Sequence, residues 1–151
     1  MFKDYDKGFE YYKKGYAIIP KGDKELTFKL LVNLFGVCLN RKDLKEARKY
    51  SQLIQTSPHP ETAENQFYIT FSKALLTSEE AHYAEANKIL IDLAKTSIAA
   101  KLPAIFICSV YSHIYTNYME MGDMSNALHY IRLCMQTKKR HNTTVTQRMK
   151  M

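Results

Sequence analysis

The chain has 151 residues, 46% of them apolar, enough for one domain with a core, and its five Gly and four Pro are too few for a many-turned β protein. Its formal charge of +7 permits an acidic protein, a nucleic acid or a membrane surface as partner without selecting among them. Three cysteines, Cys38, Cys108 and Cys134, with no CxxC spacing, exclude a disulfide framework and a cysteine zinc site.

The N-terminus, Met1 to Asp6, is charged from the start and offers no apolar h-region, so no signal peptide is expected. Residues 2–20 read as one helix, half of a hairpin, with Phe9, Tyr12 and Tyr16 on an apolar face. A hairpin over 25–57 follows. Its first helix spans about Glu25 to Asn40 and turns Leu30, Leu31, Leu34 and Cys38 inward; the turn is Asn40-Arg41-Lys42-Asp43. The next hairpin covers 62–97, with Phe67, Tyr68, Phe71 and Leu75 inward and Thr77-Ser78-Glu79-Glu80 as its turn. The last covers 103–140, with Tyr111, Ile114, Tyr115 and Tyr118 inward and a turn at Gly122-Asp123, where Asp123 and Ser125 are N-cap candidates. Pro20, Pro58, Pro60 and Pro103 fall between hairpins, where helices stop or start. The tyrosines at 111, 115 and 118 read as hairpin packing rather than a base-stacking platform.

Residues 1–141 thus form a single repeat domain of seven helices, and 142–151 a polar tail that frays or begins a further helix. Gly8, Ala47, Ala86 and Ala127 anchor four copies of the second-helix pattern, 39, 39 and 41 residues apart. Tyr12, Ser51, Leu90 and Ile131 lie four residues past each anchor, and Gly15, Ile54, Leu93 and Cys134 seven past, so each set shares a helical face. A small anchor lets a paired helix approach closely; Ser51 is the weak member. The first helix has no upstream partner, so the chain is expected to be a fragment, an eroded product or half of an assembly. Exposed Phe9, Tyr12 and Tyr16 could then drive homo-oligomer formation.

Charge reads as dispersed, its longest basic run being Lys138-Lys139-Arg140 beside His141, taken as a solvated helix end. The most apolar stretch, Ile98 to Tyr111, is interrupted by Lys101 and Pro103 and is too short to span a bilayer, so no membrane insertion is expected. No GxGxxG, P-loop, HExxH or GxSxG occurs. Glu79-Glu80 with His82 is the only local acid–histidine cluster, at a turn, so no enzyme and no cofactor is expected. Free cysteines on apolar faces fit a reducing, cytoplasmic compartment.

The segment Tyr5-Asp6-Lys7-Gly8-Phe9-Glu10-Tyr11-Tyr12-Lys13-Lys14-Gly15-Tyr16-Ala17-Ile18-Ile19-Pro20 resembles the second helix of a tetratricopeptide repeat with its closing proline. Met121-Gly122-Asp123-Met124-Ser125-Asn126-Ala127-Leu128-His129-Tyr130 resembles that repeat's turn and second-helix start. The period of about 40 is longer than the family's usual length of roughly 34. Longer repeats of this kind, together with Phe71-Ser72-Lys73-Ala74-Leu75-Leu76, resemble the peptide-sensing domain of Gram-positive quorum-sensing transcription regulators of the Rgg/PlcR type. The DNA-reading helix-turn-helix of those regulators has no counterpart here, which implies the sensor part alone.

The resemblance implies an all-α, right-handed α-solenoid of about three and a half hairpins that binds a protein or an extended peptide in its concave groove, as sensor or adaptor. The alternative is an assembly subunit docking through the first helix; a basic nucleic-acid binder ranks third. In such solenoids the first helix of each hairpin lines the groove. That implies peptide-binding roles for Lys29, Asn33 and Gly36, for Thr70 and Lys73, and for Ser109, His113 and Thr116. This line is polar, lightly basic and free of carboxylates. Asn33 leads because a carboxamide donates and accepts as a peptide bond does; the lysines would pair with a ligand carboxylate.

Overall fold

The computed structural model describes residues 5–19 and 22–150. Among them are seven α-helices and no strand: α1 Tyr5–Ile18, α2 Lys24–Asn40, α3 Leu44–Thr56, α4 Ala63–Glu79, α5 Tyr83–Ala99, α6 Ala104–Glu120 and α7 Met124–Lys150. Pro58, Pro60 and Pro103 lie between helices as expected, and Pro20 lies outside the described residues.

Side chains fix where the helices begin. Asp23 accepts the Leu26 N–H at 3.1 Å, Asp43 that of Glu46 at 3.2 Å, and Thr62 that of Asn65 at 3.1 Å, each satisfying one donor of a first helical turn. Asp123 does the same for Asn126 and also accepts its side-chain amide at 2.7 Å. Ser125 is therefore not a cap; it lies inside the first turn of α7.

The helices stop by one repeated device. After α2, α5 and α6 the residues Lys42, Lys101 and Gly122 take positive φ of 60°, 57° and 74°. In each case the next residue donates back across six residues: Asp43 to Cys38, Leu102 to Ser97, Asp123 to Tyr118. These are Schellman closures, and only the last uses the glycine such a position favours. Asp43 and Asp123 then serve at once as the end of one helix and the cap of the next, so both turns are equally tight. The turn read at Thr77–Glu80 sits later than expected: α4 continues to Glu79, and Ala81 takes the positive φ.

The chain divides into two compact units, Met1–Glu80 and Ala81–Met151, parting inside the stretch read as the 62–97 hairpin. In the first, α2 packs on α1, α3 and α4, and α3 on α4. Its core holds Phe9, Phe28, Leu31, Leu34, Phe35, Cys38, Ala47, Tyr50 and Ile54. In the second, α6 packs between α5 and α7. Packing of sequential helices within each unit is consistent with a helical repeat.

Ala47, Ala86 and Ala127 are all buried, as small anchors should be. Gly8 differs: a Cβ there would meet nothing within 4 Å, so no close approach requires it. At Gly15 a Cβ would make ordinary contact with the Leu30 side chain, at 3.6 Å, so there too a larger residue would fit. Ser51, the weak member by chemistry, is nonetheless buried.

The expected open face of α1 is partly closed. Phe9 is only 7% exposed, edge-on to Tyr50 with ring centroids 6.3 Å apart and covered by the Arg41 guanidinium 4.3 Å above its ring. Arg41 Nε also donates to Asp6 Oδ1 at 2.7 Å. Tyr12 packs partly against the same core, and Tyr16 stays exposed. Phe9 is thus spent inside the unit.

In the second unit Tyr130 packs against Tyr111 and Tyr118, the packing role expected of those tyrosines. The Cys108 thiol donates to the Cys134 carbonyl and the Cys134 thiol to that of Cys108, both at 3.6 Å. All three cysteines are free and buried. α5 and α6 are also joined by a buried carboxamide pair, Asn117 Nδ2 donating to Asn87 Oδ1 at 2.9 Å. α7 runs unbroken through the stretch read as a tail. The Lys138–Arg140 run is therefore mid-helix, and no helix end is near for its charges to complement.

Candidate functional site

The groove of interest lies in the first unit, between the N-terminal half of α2 and the start of α4. It encloses about 420 Å³ and is lined from α2 by Glu25, Phe28, Lys29, Val32 and Asn33. Pro60, Thr62, Glu64, Asn65 and Tyr68 line the opposite side. That volume sits near the lower end of small-ligand pockets and suits one or two residues of a peptide.

Local chemistry builds the second wall. Thr62 caps α4, and the Asn65 side chain donates to the Pro60 carbonyl at 2.9 Å, pinning the entering strand of chain against the first turn. His59 is held by a 3.0 Å contact of Nδ1 with the Ser57 carbonyl and lies 5.0 Å from the Phe28 ring. Phe28 is buried and forms a rigid apolar floor. Asn65 is committed to backbone, so the polar groups turned to the groove are Asn33, Lys29, Glu25, Glu64 and Tyr68.

Of these, Asn33 is exposed, and its carboxamide has no hydrogen-bond partner among the described residues. Lys29 is different: its ammonium pairs with Glu25 at 3.3 Å, one helical turn back. Burial pushes the Tyr68 phenol above its ordinary value, the Glu64 carboxylate adds to the rise, and Lys29 opposes it. The three groups therefore share one electrostatic neighbourhood, and the phenol stays protonated and able to donate.

Two of the expected site residues, Lys29 and Asn33, line this groove. Gly36 lies one turn further along α2, half-buried, where a Cβ would meet nothing within 4 Å. Thr70 is half-buried and Lys73 exposed on α4, beyond the residues that line the groove. Ser109 and Thr116 lie in the second unit and turn their hydroxyls back onto their own helix, to the Ile105 and Ser112 carbonyls at 2.8 and 3.0 Å. His113 is exposed on α6 between them.

The expected positions carry no carboxylate, but the groove is not free of them. Glu25 and Glu64 both border the groove, and Glu25 already holds Lys29. Sequence reasoning missed them because it counted only positions on the first helices that point to one face. Glu25 lies one turn before Lys29, and Glu64 sits in the first turn of α4, where a carboxylate also complements the helix dipole. Tyr68 was read as core, and it serves both roles.

No protein-family model matches the chain, and no curated protein sequence matches it. Among the described residues no group of His, Cys, Asp and Glu could hold a metal ion, and no helix is long and apolar enough to cross a membrane. Glu79 and Glu80, the acids of the acid–histidine cluster, pair instead with Lys42 and Arg48, both at 3.6 Å.

Proposed function

We propose that the chain is a peptide-binding module of tetratricopeptide-like hairpins, a sensor or adaptor without catalytic activity of its own, and that the α2–α4 groove is its ligand site. One observation carries this reading: an unpartnered carboxamide, Asn33, stands beside a rigid apolar floor of Phe28 and Val32 in a preformed cleft. A peptide bond laid across Asn33 is offered both a donor and an acceptor, and a neighbouring apolar side chain is offered the floor. Glu64 favours a ligand segment with a cationic side chain near Tyr68, since Glu25 and Lys29 pair with each other.

The likeness of residues 5–20 and 121–130 to tetratricopeptide helices supports a right-handed solenoid, and that of 71–76 supports a quorum-sensing regulator as the setting. The test is selection from an unbiased displayed-peptide library on the whole chain, followed by measuring the selected peptides on variants. Asn33→Ala should weaken them by about tenfold, the worth of a hydrogen bond or two. Selected peptides that bind Asn33→Ala and Glu64→Gln as tightly as the parent would remove the site from this groove.

A further inference from the structure

The last helix carries a surface that the groove does not use. Met124, Leu128 and Met135 are 61%, 47% and 64% exposed. They recur at offsets of 0, 4 and 11, with half-buried Ile131 at 7, so they form one continuous stripe on α7. Ala127 and Cys134, on the adjoining flank of the helix, are buried, and among the described residues of its unit α7 packs only on α6. The stripe borders the buried face, and Met124, Leu128 and Met135 on it stay exposed.

Charge singles out the same helix. Between residues 124 and 150 there is no Asp or Glu, while Arg132, Lys138, Lys139, Arg140 and Arg148 are all exposed. Most of the chain's formal excess of +7 thus sits on one element. The charge that looks dispersed along the sequence is concentrated once opposite signs are compared helix by helix. Arg132 stands one turn beyond Leu128, and Lys139 one turn beyond Met135, so cations border the stripe.

We infer that this face of α7 docks an acidic amphipathic helix of a partner protein. Such a helix would lay its apolar residues on Met124, Leu128 and Met135 and its carboxylates toward Arg132 and Lys139. The methionines suit this because their unbranched side chains adapt to a partner's shape. Charge complementarity selects this occupant over three others. A second copy would bring the same acid-free helix and set cation against cation. A nucleic acid would gain from the cations but would leave three large apolar side chains among phosphates. A membrane surface would gain too little, since among the described residues the exposed large apolar side chains of α7 are Met124, Leu128 and Met135 over three turns and Met149 nearly four turns further on, and affinity there scales with buried apolar area.

The test uses the whole chain and a synthetic helix of Leu and Glu with its leucines on one face. Its Lys-for-Glu counterpart, phosphatidylserine vesicles and a DNA duplex are measured in parallel. The Leu–Glu helix should bind, and its Lys counterpart should not. Leu128→Glu with Met135→Glu should weaken the complex at least about tenfold, because a carboxylate enters an apolar contact and meets like charge. Arg132→Glu with Lys139→Glu should weaken it and reduce its dependence on salt. All four positions are exposed, so unchanged far-ultraviolet circular dichroism will verify folding. The proposal is overturned by any of three results: no binding of the Leu–Glu helix, equal binding by the Leu128→Glu/Met135→Glu variant, or tighter binding of vesicles or duplex than of the helix.

Discussion

Arg41 ends α2 and reaches back over α1, and its replacement tests how the first helix is held. Its guanidinium covers the Phe9 ring at 4.3 Å, its Nε pairs with Asp6, and its Nη1 is buried without a partner. The ring contact is part-desolvated and is worth about 1 kcal/mol. The Asp6 pair is not: the Asp6 side chain is 81% exposed, so solvent screens it to about 0.5 kcal/mol or less. The arginine stem adds apolar cover, while the unpaired Nη1 is a cost that truncation relieves. Arg41→Ala should therefore destabilise by roughly 1–2 kcal/mol, and Phe9→Ala by about 3 kcal/mol, as for a buried aromatic. Arg41→Met keeps the cover and removes the orphaned nitrogen, so it should lose less than half as much as Arg41→Ala. Urea unfolding gives these differences, and amide hydrogen exchange on α1 shows whether the loss is local. If Asp6→Ala costs as much as Arg41→Ala, and Arg41→Met is no better, the ion pair holds α1 and the reasoning from the ring is wrong.

Three further outcomes follow from other parts of the molecule. Asn117→Ala should cost about 2–3 kcal/mol, because it strips Asn87 Oδ1 of its donor where Asn87 Nδ2 already lacks a partner; adding Asn87→Ala should cost less than a second such loss, giving a non-additive double-mutant cycle. Lys42→Gly should stabilise by about 0.5–1 kcal/mol, the relief of a φ of 60° outweighing the loss of the solvent-screened Lys42–Glu79 pair, and Gly122→Ala should destabilise by about 1 kcal/mol; thermal unfolding of the two variants would show opposite shifts. Burial, with the nearby Asp43 and Glu46 charges adding to it, raises the Cys38 thiol to about 11. The folded state then binds this proton more tightly than the unfolded state, so its contribution is complete below about pH 9 and is lost as pH rises toward 11. Unfolding free energy should fall across that window, and Cys38→Ala should flatten the fall; an unchanged slope would remove Cys38 from the account.

The helices were legible because two local signals agree along the chain. The apolar period sets Leu31, Leu34 and Cys38, or Ile114 and Tyr118, on one face, and Asp43 and Asp123 cap the helix that follows each turn. Lys29 and Asn33 could be placed on one side of α2 for the same reason. What sequence could not show depended on groups distant along the chain. That Phe9 is covered depends on Arg41, a residue 32 positions later whose long side chain could have pointed anywhere. The turns at Lys42 and Lys101 lack the glycine that announces a left-handed residue, so their closure appears only in the backbone. The Asn87–Asn117 pair gives no pattern at all, because a buried carboxamide is tolerable only once its partner is in place. Glu25 and Glu64 belong to the groove only because α2 and α4 converge. Local periodicity thus determined the helices and which face of each is buried; tertiary packing alone decided which polar groups meet, since that depends on distances no spacing along one helix can encode.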